Sequence, residues 1–265
     1  MRNVFWQDRI VSDAKEAKLD AFSLAAFYGQ SVFTTVAVRD CLPLLQDKHW
    51  RRLSSNAALL GIDISAYSEE RVFTALAELA EANSDRNGVS RITFFDMTTG
   101  GLWTAGSKTT GTALLITTRE SRKTLDVFTL TTSPFLLNST SPLAGVKSGN
   151  YLENLTAFNE AEKRGFDEAV RINERGEVVG GCLCNIFWTS DGLLYTPRLN
   201  TGCLPGTTRE FVMETFECAE VSAAISDLEN ADEIFLTSAG IGVVQVSDFN
   251  GRALSAKDHD ITSLL

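Results

Sequence analysis

Lys147 heads a run of small and polar residues, Lys147-Ser148-Gly149-Asn150-Tyr151, that passes into Leu152, Glu153 and Asn154 and on through Ala157, Glu160 and Ala161 to Gly165. A lysine set in a Ser/Gly/Asn loop is open to approach by a carbonyl compound, and lysine forms Schiff bases once its surroundings favour the neutral amine. A lone loop lysine is ordinarily a solvated charge, so the neighbours it keeps along the chain matter. Upstream lie Tyr28-Gly29-Gln30-Ser31-Val32-Phe33-Thr34-Thr35 and His49-Trp50-Arg51-Arg52-Leu53. Downstream lie Asn185-Ile186-Phe187-Trp188, Tyr195-Thr196-Pro197-Arg198-Leu199 and Leu204-Pro205-Gly206-Thr207-Thr208-Arg209. The last run combines small hydroxyl residues with a helix start, whose free backbone N–H groups make an anion site.

These residues need elements to hold them. Val32 to Val38 is β-branched and aromatic, as a buried strand should be, and Asp40-Cys41-Leu42-Pro43 turns it into a second short apolar run at Leu44-Leu45. From 47 to 60, Trp50, Leu53, Ala57 and Leu60 recur at helical spacing, with Gly61 placed to stop the helix. Ser68 opens a second helix whose buried stripe is Val72, Phe73, Leu76, Leu79 and Ala80. Strands at 90–95 and 112–117 complete a mixed first half. The polar, aperiodic stretch from Thr118 to Lys123 reads as a linker, which divides the chain into domains at 1–118 and 125–265 joined by 119–124.

The second half opens with a strand, Val127 to Thr132, and reaches Lys147 through a Ser/Asn-rich loop. The helix after Lys147 is expected to bury Leu152, Leu155, Phe158 and Ala161, to leave Glu153, Glu160 and Glu162 in solvent, and to end at Gly165. Runs at 169–172, 177–179, 185–189 and 193–195, broken by turn residues, predict a meander of short antiparallel strands. A helix opens at Thr207 and runs through Phe211, Val212 and Phe216, and a strand from Ile234 ends in the small-residue turn Ser238-Ala239-Gly240.

Composition narrows the function. Of the 265 residues 44% are apolar, enough for packed cores, and a net charge of −10 repels nucleic acid and anionic membranes. The first residues hold no apolar run of signal-peptide length and no later window approaches a membrane span, which predicts a cytoplasmic protein. Cys41, Cys182, Cys184, Cys203 and Cys218 are odd in number and scattered, as reduced thiols are. Cys182-Leu183-Cys184 has no His or Cys partner at a zinc-like spacing, since His49 and His259 are far off in sequence, so no metal is expected.

Taken in order and spacing, the runs around Lys147, Asn185, Tyr195 and Leu204, with those around Phe33 and His49, resemble the fold-type IV enzymes that use pyridoxal 5′-phosphate (PLP): branched-chain and D-amino-acid aminotransferases and aminodeoxychorismate lyase. The likeness covers nearly the whole chain. It implies an α+β fold of two domains, a small α/β N-terminal domain and a larger β-barrel-like C-terminal one, working as a homodimer on a small amino compound. It further implies that Lys147 carries the cofactor and moves a proton as general base, that Tyr151 orients the cofactor through its 3-hydroxyl, and that Thr34 or Thr35 faces the substrate. Arg52, at the arginine of His-x-x-Arg-Leu, and the run Gly206-Thr207-Thr208 would clamp the phosphate. Asn185, Ser238 and Ala239 stand at further cofactor positions, with Ala239 replacing a common threonine.

Phe33-Thr34-Thr35, Phe187-Trp188 and Tyr195-Thr196-Pro197-Arg198-Leu199 are closest to the lyases of folate biosynthesis, which convert aminodeoxychorismate to 4-aminobenzoate and pyruvate. An amino-acid transaminase and a diverged non-catalytic member are the alternatives. Two departures stand out. Asp96-Met97 occupies the place of an Arg-Gly pair that relatives use toward substrate carboxylates. Gly180 occupies the place of the glutamate that bonds the cofactor's ring nitrogen, and Glu177, three residues earlier, faces the other side of a strand.

Overall fold

The computed structural model describes residues 2–100, 110–120, 127–254 and 259–264. The chain forms two compact units, one of residues 1–122 with 147–150 and one of residues 123–146 with 151–265. Of the expected linker, Arg119 and Glu120 end a strand and 121–124 lie outside the described residues, as do residues 101–103 of the Gly/Thr-rich loop.

Among the described residues the first unit holds a six-stranded antiparallel sheet. In chain order its strands are β1 (Val4–Trp6), β2 (Arg9–Val11), β3 (Ser31–Arg39), β4 (Leu42–Pro43), β5 (Gly88–Asp96) and β6 (Thr112–Glu120), arranged β2-β1-β6-β5-β3-β4. A short helix α1 (Leu24–Tyr28) precedes β3. Helices α2 (Gln46–Leu59) and α3 (Glu69–Ala82) cover one face, burying Leu53, Ala57, Val72, Phe73, Leu76 and Leu79 against Val32, Val36, Ile92, Phe94 and Ile116. Ser68 caps α3 by accepting from the Arg71 N–H, and Gly61 stands at φ 68° just beyond α2. The second strand of the first hairpin differs from expectation. Asp40 and Cys41 make the turn at φ 48° and 65°, so pairing falls on Leu42–Pro43, and Leu45 in left-handed backbone already starts α2.

The second unit has strands β7 (Thr129–Thr132), β8 (Glu168–Ile172), β9 (Val178–Gly181), β10 (Asn185–Ser190), β11 (Leu193–Pro197), β12 (Cys218–Val221), β13 (Glu233–Ser238), β14 (Gly242–Gln245), β15 (Asp248–Phe249) and β16 (Arg252–Ala253). Its helices are α4 (Leu152–Lys163), α5 (Thr207–Thr215) and α6 (Ile225–Glu229). The expected single meander is replaced by two mixed sheets, β12-β11-β10-β13-β14 and β16-β15-β7-β8-β9. β7 runs parallel to β8 and β11 to β12, and β10 pairs with the distant β13 rather than with β9. Leu130, Val170 and Val178 from one sheet pack with Ile186, Trp188, Ile234 and Leu236 from the other. Phe187 and Phe235 point the opposite way, onto Val212 of α5, as period-2 alternation requires.

The α4 stripe also departs from expectation. Leu152 and Leu155 are 71% and 43% exposed, and the buried positions are Ala157 and Ala161, which with Phe158 pack on Ala169 and Cys182. Small side chains let the helix lie close to the strands, close enough for Asn154 Nδ2 to donate to the Cys182 carbonyl at 2.7 Å.

Candidate functional site

In the first unit, the segment carrying Lys147 is tied to the start of β3 by backbone pairing. The Phe33 N–H donates to the Lys147 carbonyl at 3.1 Å and the Gly149 N–H to the Ser31 carbonyl at 2.7 Å, with Val32 bridged to Ser148. Glycine at position 149 permits this close approach, because a Cβ there would lie 1.8 Å from Ser31 Oγ and force that side chain to shift. Lys147 is 9% exposed, and its Nζ sits 4.7 Å from the centroid of the Phe33 ring. The Arg91 guanidinium lies 3.6 Å from the same centroid, so one ring serves two cations.

Thr34 and Thr35 fall on opposite faces of β3. Thr34 is fully buried on the helix-covered face, while Thr35 shares the face of Phe33. Thr34 Oγ1 accepts from Arg52 Nη2 at 2.8 Å and lies 2.7 Å from His49 Nδ1. Arginine has no acceptor, so with His49 neutral the threonine hydrogen goes to Nδ1, an assignment made from the hydrogen-bond network. Burial first, then the charges of Arg52 and Lys147, hold the His49 pKa well below its ordinary 6.5.

A pH dependence follows. The unfolded imidazole gains a proton below about pH 6.5 and the folded one resists it, so this site's contribution to stability is complete above that value. It is lost as pH falls toward the folded pKa, by up to about 1.4 kcal/mol per unit. Denaturation of native protein and His49→Gln at pH 7.5 and 5.5 should show the native advantage shrinking at the lower pH; equal differences at both would remove His49 from this role.

In the second unit, Asn185 at the head of β10 ties down the loop before α5, donating from Nδ2 to the Leu204 carbonyl at 2.8 Å and to Cys203 Sγ at 3.3 Å. Gly206 is the N-cap of α5 and offers no side-chain cap, and a Cβ on it would lie 1.9 Å from Asn185 Oδ1. The buried hydroxyl of Thr208 has no hydrogen-bond partner, nor does that of Thr237, the cross-strand neighbour of Asn185. A helix start without a side-chain cap, beside the unpartnered hydroxyls of Thr208 and Thr237, suits an oxygen-rich anion such as a phosphate. Thr207 is buried beside Thr208, Ser238 Oγ accepts from the Gly240 N–H at 3.3 Å, Ala239 is partly buried, and Tyr151 is the N-cap of α4. Arg209, in the same run, is committed to the Pro197 carbonyl and the Glu220 carboxylate.

Gly180 lies in β9 directly across from Arg171 of β8. The nearby carboxylates are engaged elsewhere. Glu177 accepts from Asn173 Nδ2 and Arg175 Nε, both at 2.8 Å. Glu168 accepts from the Cys182 and Leu183 N–H groups at 3.0 Å and from Cys184 Sγ at 3.1 Å, and burial pushes its carboxyl above the ordinary range. The roles of Arg171, Glu168 and the Thr34–His49 link escaped the sequence reading. For Arg171 a signal was present: a lone charge inside the apolar strand Ala169-Val170-Arg171-Ile172.

The chain is similar to known proteins over most of its length. A protein of Methanocaldococcus jannaschii, provisionally assigned as a branched-chain-amino-acid aminotransferase, is 30% identical over 256 residues, 92% of this chain and 87% of the relative. The aminodeoxychorismate lyase of Bacillus subtilis is 25% identical over 271 residues, 96% of this chain and 89% of its own. The crystal structure of the branched-chain aminotransferase of Thermoproteus uzoniensis with norvaline matches at a TM-score of 0.88 and 27% identity, covering 99% of this chain and 92% of that one. The expected two-domain fold-type IV architecture is therefore the observed one. The family model for amino-transferase class IV matches residues 31–249, and the chain belongs to that family of enzymes.

Proposed function

We propose that this protein is a lyase that splits aminodeoxychorismate into 4-aminobenzoate and pyruvate, a step of folate biosynthesis. Its cofactor is PLP, as for class IV aminotransferases generally. When bound, PLP supplies a carbonyl that condenses with amines and a conjugated ring that accepts electrons. Lys147 is the residue that holds it, and Lys147 Nζ then takes and returns a proton at the substrate. The α5 N-terminus with Thr207 and Thr208 binds the phosphate, on ground laid by Gly206 and Asn185. Arg52, aimed by Thr34 and His49, binds phosphate as a charged donor. Tyr151 orients the cofactor, Ser238 and Ala239 border it, and Thr35, on the face of Phe33, is directed toward substrate. The working form is a cytoplasmic homodimer; no helix among the described residues is long and apolar enough to cross a membrane.

The observation that supports elimination over amino transfer is Gly180, with Glu177 and Glu168 both bonded elsewhere. A carboxylate at the ring nitrogen would keep it protonated and strengthen the ring as an electron acceptor. Amino transfer leans heavily on that help. Elimination of pyruvate makes an aromatic product and leans on it less. The protein should release pyruvate from aminodeoxychorismate faster than it forms keto acid from any common L- or D-amino acid. Amino transfer on the order of 1 s⁻¹ without pyruvate release would overturn the lyase in favour of the second reading, an amino-acid transaminase. The similarity to aminotransferases over most of the chain favours that reading.

Arg52→Ala should weaken binding of PLP by roughly 1.5–3 kcal/mol, the worth of a hydrogen bond to a charged group. Unchanged affinity on titration would take Arg52 out of the phosphate site.

A further inference from the structure

Arg171 is 1% exposed and carries its charge into the interior of the second unit. Its Nε donates to the Phe135 carbonyl at 3.3 Å and its Nη2 to Glu153 Oε1 at 2.5 Å, but Nη1 is buried with no partner. Glu153 is itself 62% exposed, so solvent shares its charge and the pair compensates the buried cation only in part. A buried charge with an unmet donor is costly to keep, because the guanidinium cannot shed its proton and offers donors only. Such a donor wants an acceptor that arrives from outside the chain.

The register says where. Residues directly opposite in an antiparallel pair project from the same face of the sheet, and the residue opposite Arg171 is Gly180, which has no side chain. The cation therefore has no side chain opposite it across the strands, at the position where the family resemblance expects a partner for the cofactor's ring nitrogen and where a Cβ would come within 3.1 Å of the Cys184 carbonyl. The α5 N-terminus with its hydroxyls already offers an anion site, which leaves Nη1 for a neutral acceptor. We propose that Arg171 donates from Nη1 to the ring nitrogen of bound PLP, so that this nitrogen accepts a hydrogen bond and carries no proton. The proposal rests on the assignment of PLP to this protein. Where a carboxylate would draw a proton onto the ring, a guanidinium keeps it off, and the ring is a weaker electron acceptor as a result.

The test uses full-length protein loaded with PLP labelled with 15N in the ring. Borohydride reduction and mapping first establish whether an adduct forms on Lys147. With the adduct present, the native protein should give the 15N resonance of an unprotonated, hydrogen-bonded ring nitrogen, and Arg171→Met should move it toward the pyridinium position. An adduct with a pyridinium resonance in native protein overturns the role of Arg171 and leaves the cofactor assignment standing. No adduct and no visible band overturns both. If Arg171→Met lowers only the melting temperature and leaves the resonance in place, the residue is structural and the proposal fails. Should that variant not fold, the native spectrum and that of Arg171→Lys, which retains a donor and should hold the native position, decide the matter.

Discussion

Lys147→Ala protein should keep its fold and lose its chemistry: no adduct should survive borohydride at position 147, and turnover should fall by at least about 10³-fold, within the range that a positioned proton-transfer group supplies. The stability half of this expectation comes from the way the segment is held. Its ties to β3 are backbone hydrogen bonds, Phe33 N–H to the residue 147 carbonyl and Gly149 N–H to the Ser31 carbonyl, and alanine leaves both in place. The loss of the side chain includes the contact of Nζ with the Phe33 ring, worth about 0.5–1 kcal/mol. Thermal melts and single-turnover rates measured together separate the two. A variant that turns over at the native rate would show that Lys147 is not the residue doing the chemistry, and one that unfolds would show that its side chain is part of the core.

Gly180→Glu should be destabilised by about 1–3 kcal/mol while gaining amino-transfer activity. The cost is local: a Cβ at position 180 would come within 3.1 Å of the Cys184 carbonyl, and the backbone stands at φ 158°, which side chains rarely adopt. The gain is limited by Arg171, whose guanidinium is the cross-strand neighbour and would pair with the new carboxylate. Gly180→Glu combined with Arg171→Leu should therefore form keto acid from an amino acid faster than Gly180→Glu alone, with pyruvate release lowered in both. Equal keto-acid rates in the single and double variants would show that the two positions do not act on one atom.

Much of this was legible because it is local. The helical spacing of Trp50, Leu53 and Ala57 and the serine cap at position 68 are signals carried within a few residues, and α2 and α3 followed them. Lys147 stood out for the same reason, being framed by short runs of fixed spacing. What escaped depends on partners distant in sequence. The sequence near β10 contains nothing about β13, so two hairpins that look like one meander end up in different sheets. Leu152 and Leu155 look like core residues until the alanines of α4 turn out to be what fits against β8. Thr34 and Thr35 differ only in parity along β3, and helices packed on one face decide which of them is enclosed. Arg171 was invisible as a partner for position 180 because register, not spacing, brings the two together.

The short excursion of residues 147–150 into the first unit sets a limit on modularity. A gene cut after position 122 would yield an N-terminal fragment without Lys147, Ser148 and Gly149, which pair with β3, and a C-terminal fragment whose lysine had lost its backbone mooring. Exchanging halves with a relative at that boundary would replace one side of the Val32–Ser148 bridge and keep the other, so chimaeras should be spliced with residues 147–150 and β3 from the same parent. Drift in either stretch is thus constrained by the other, although more than a hundred residues separate them along the chain.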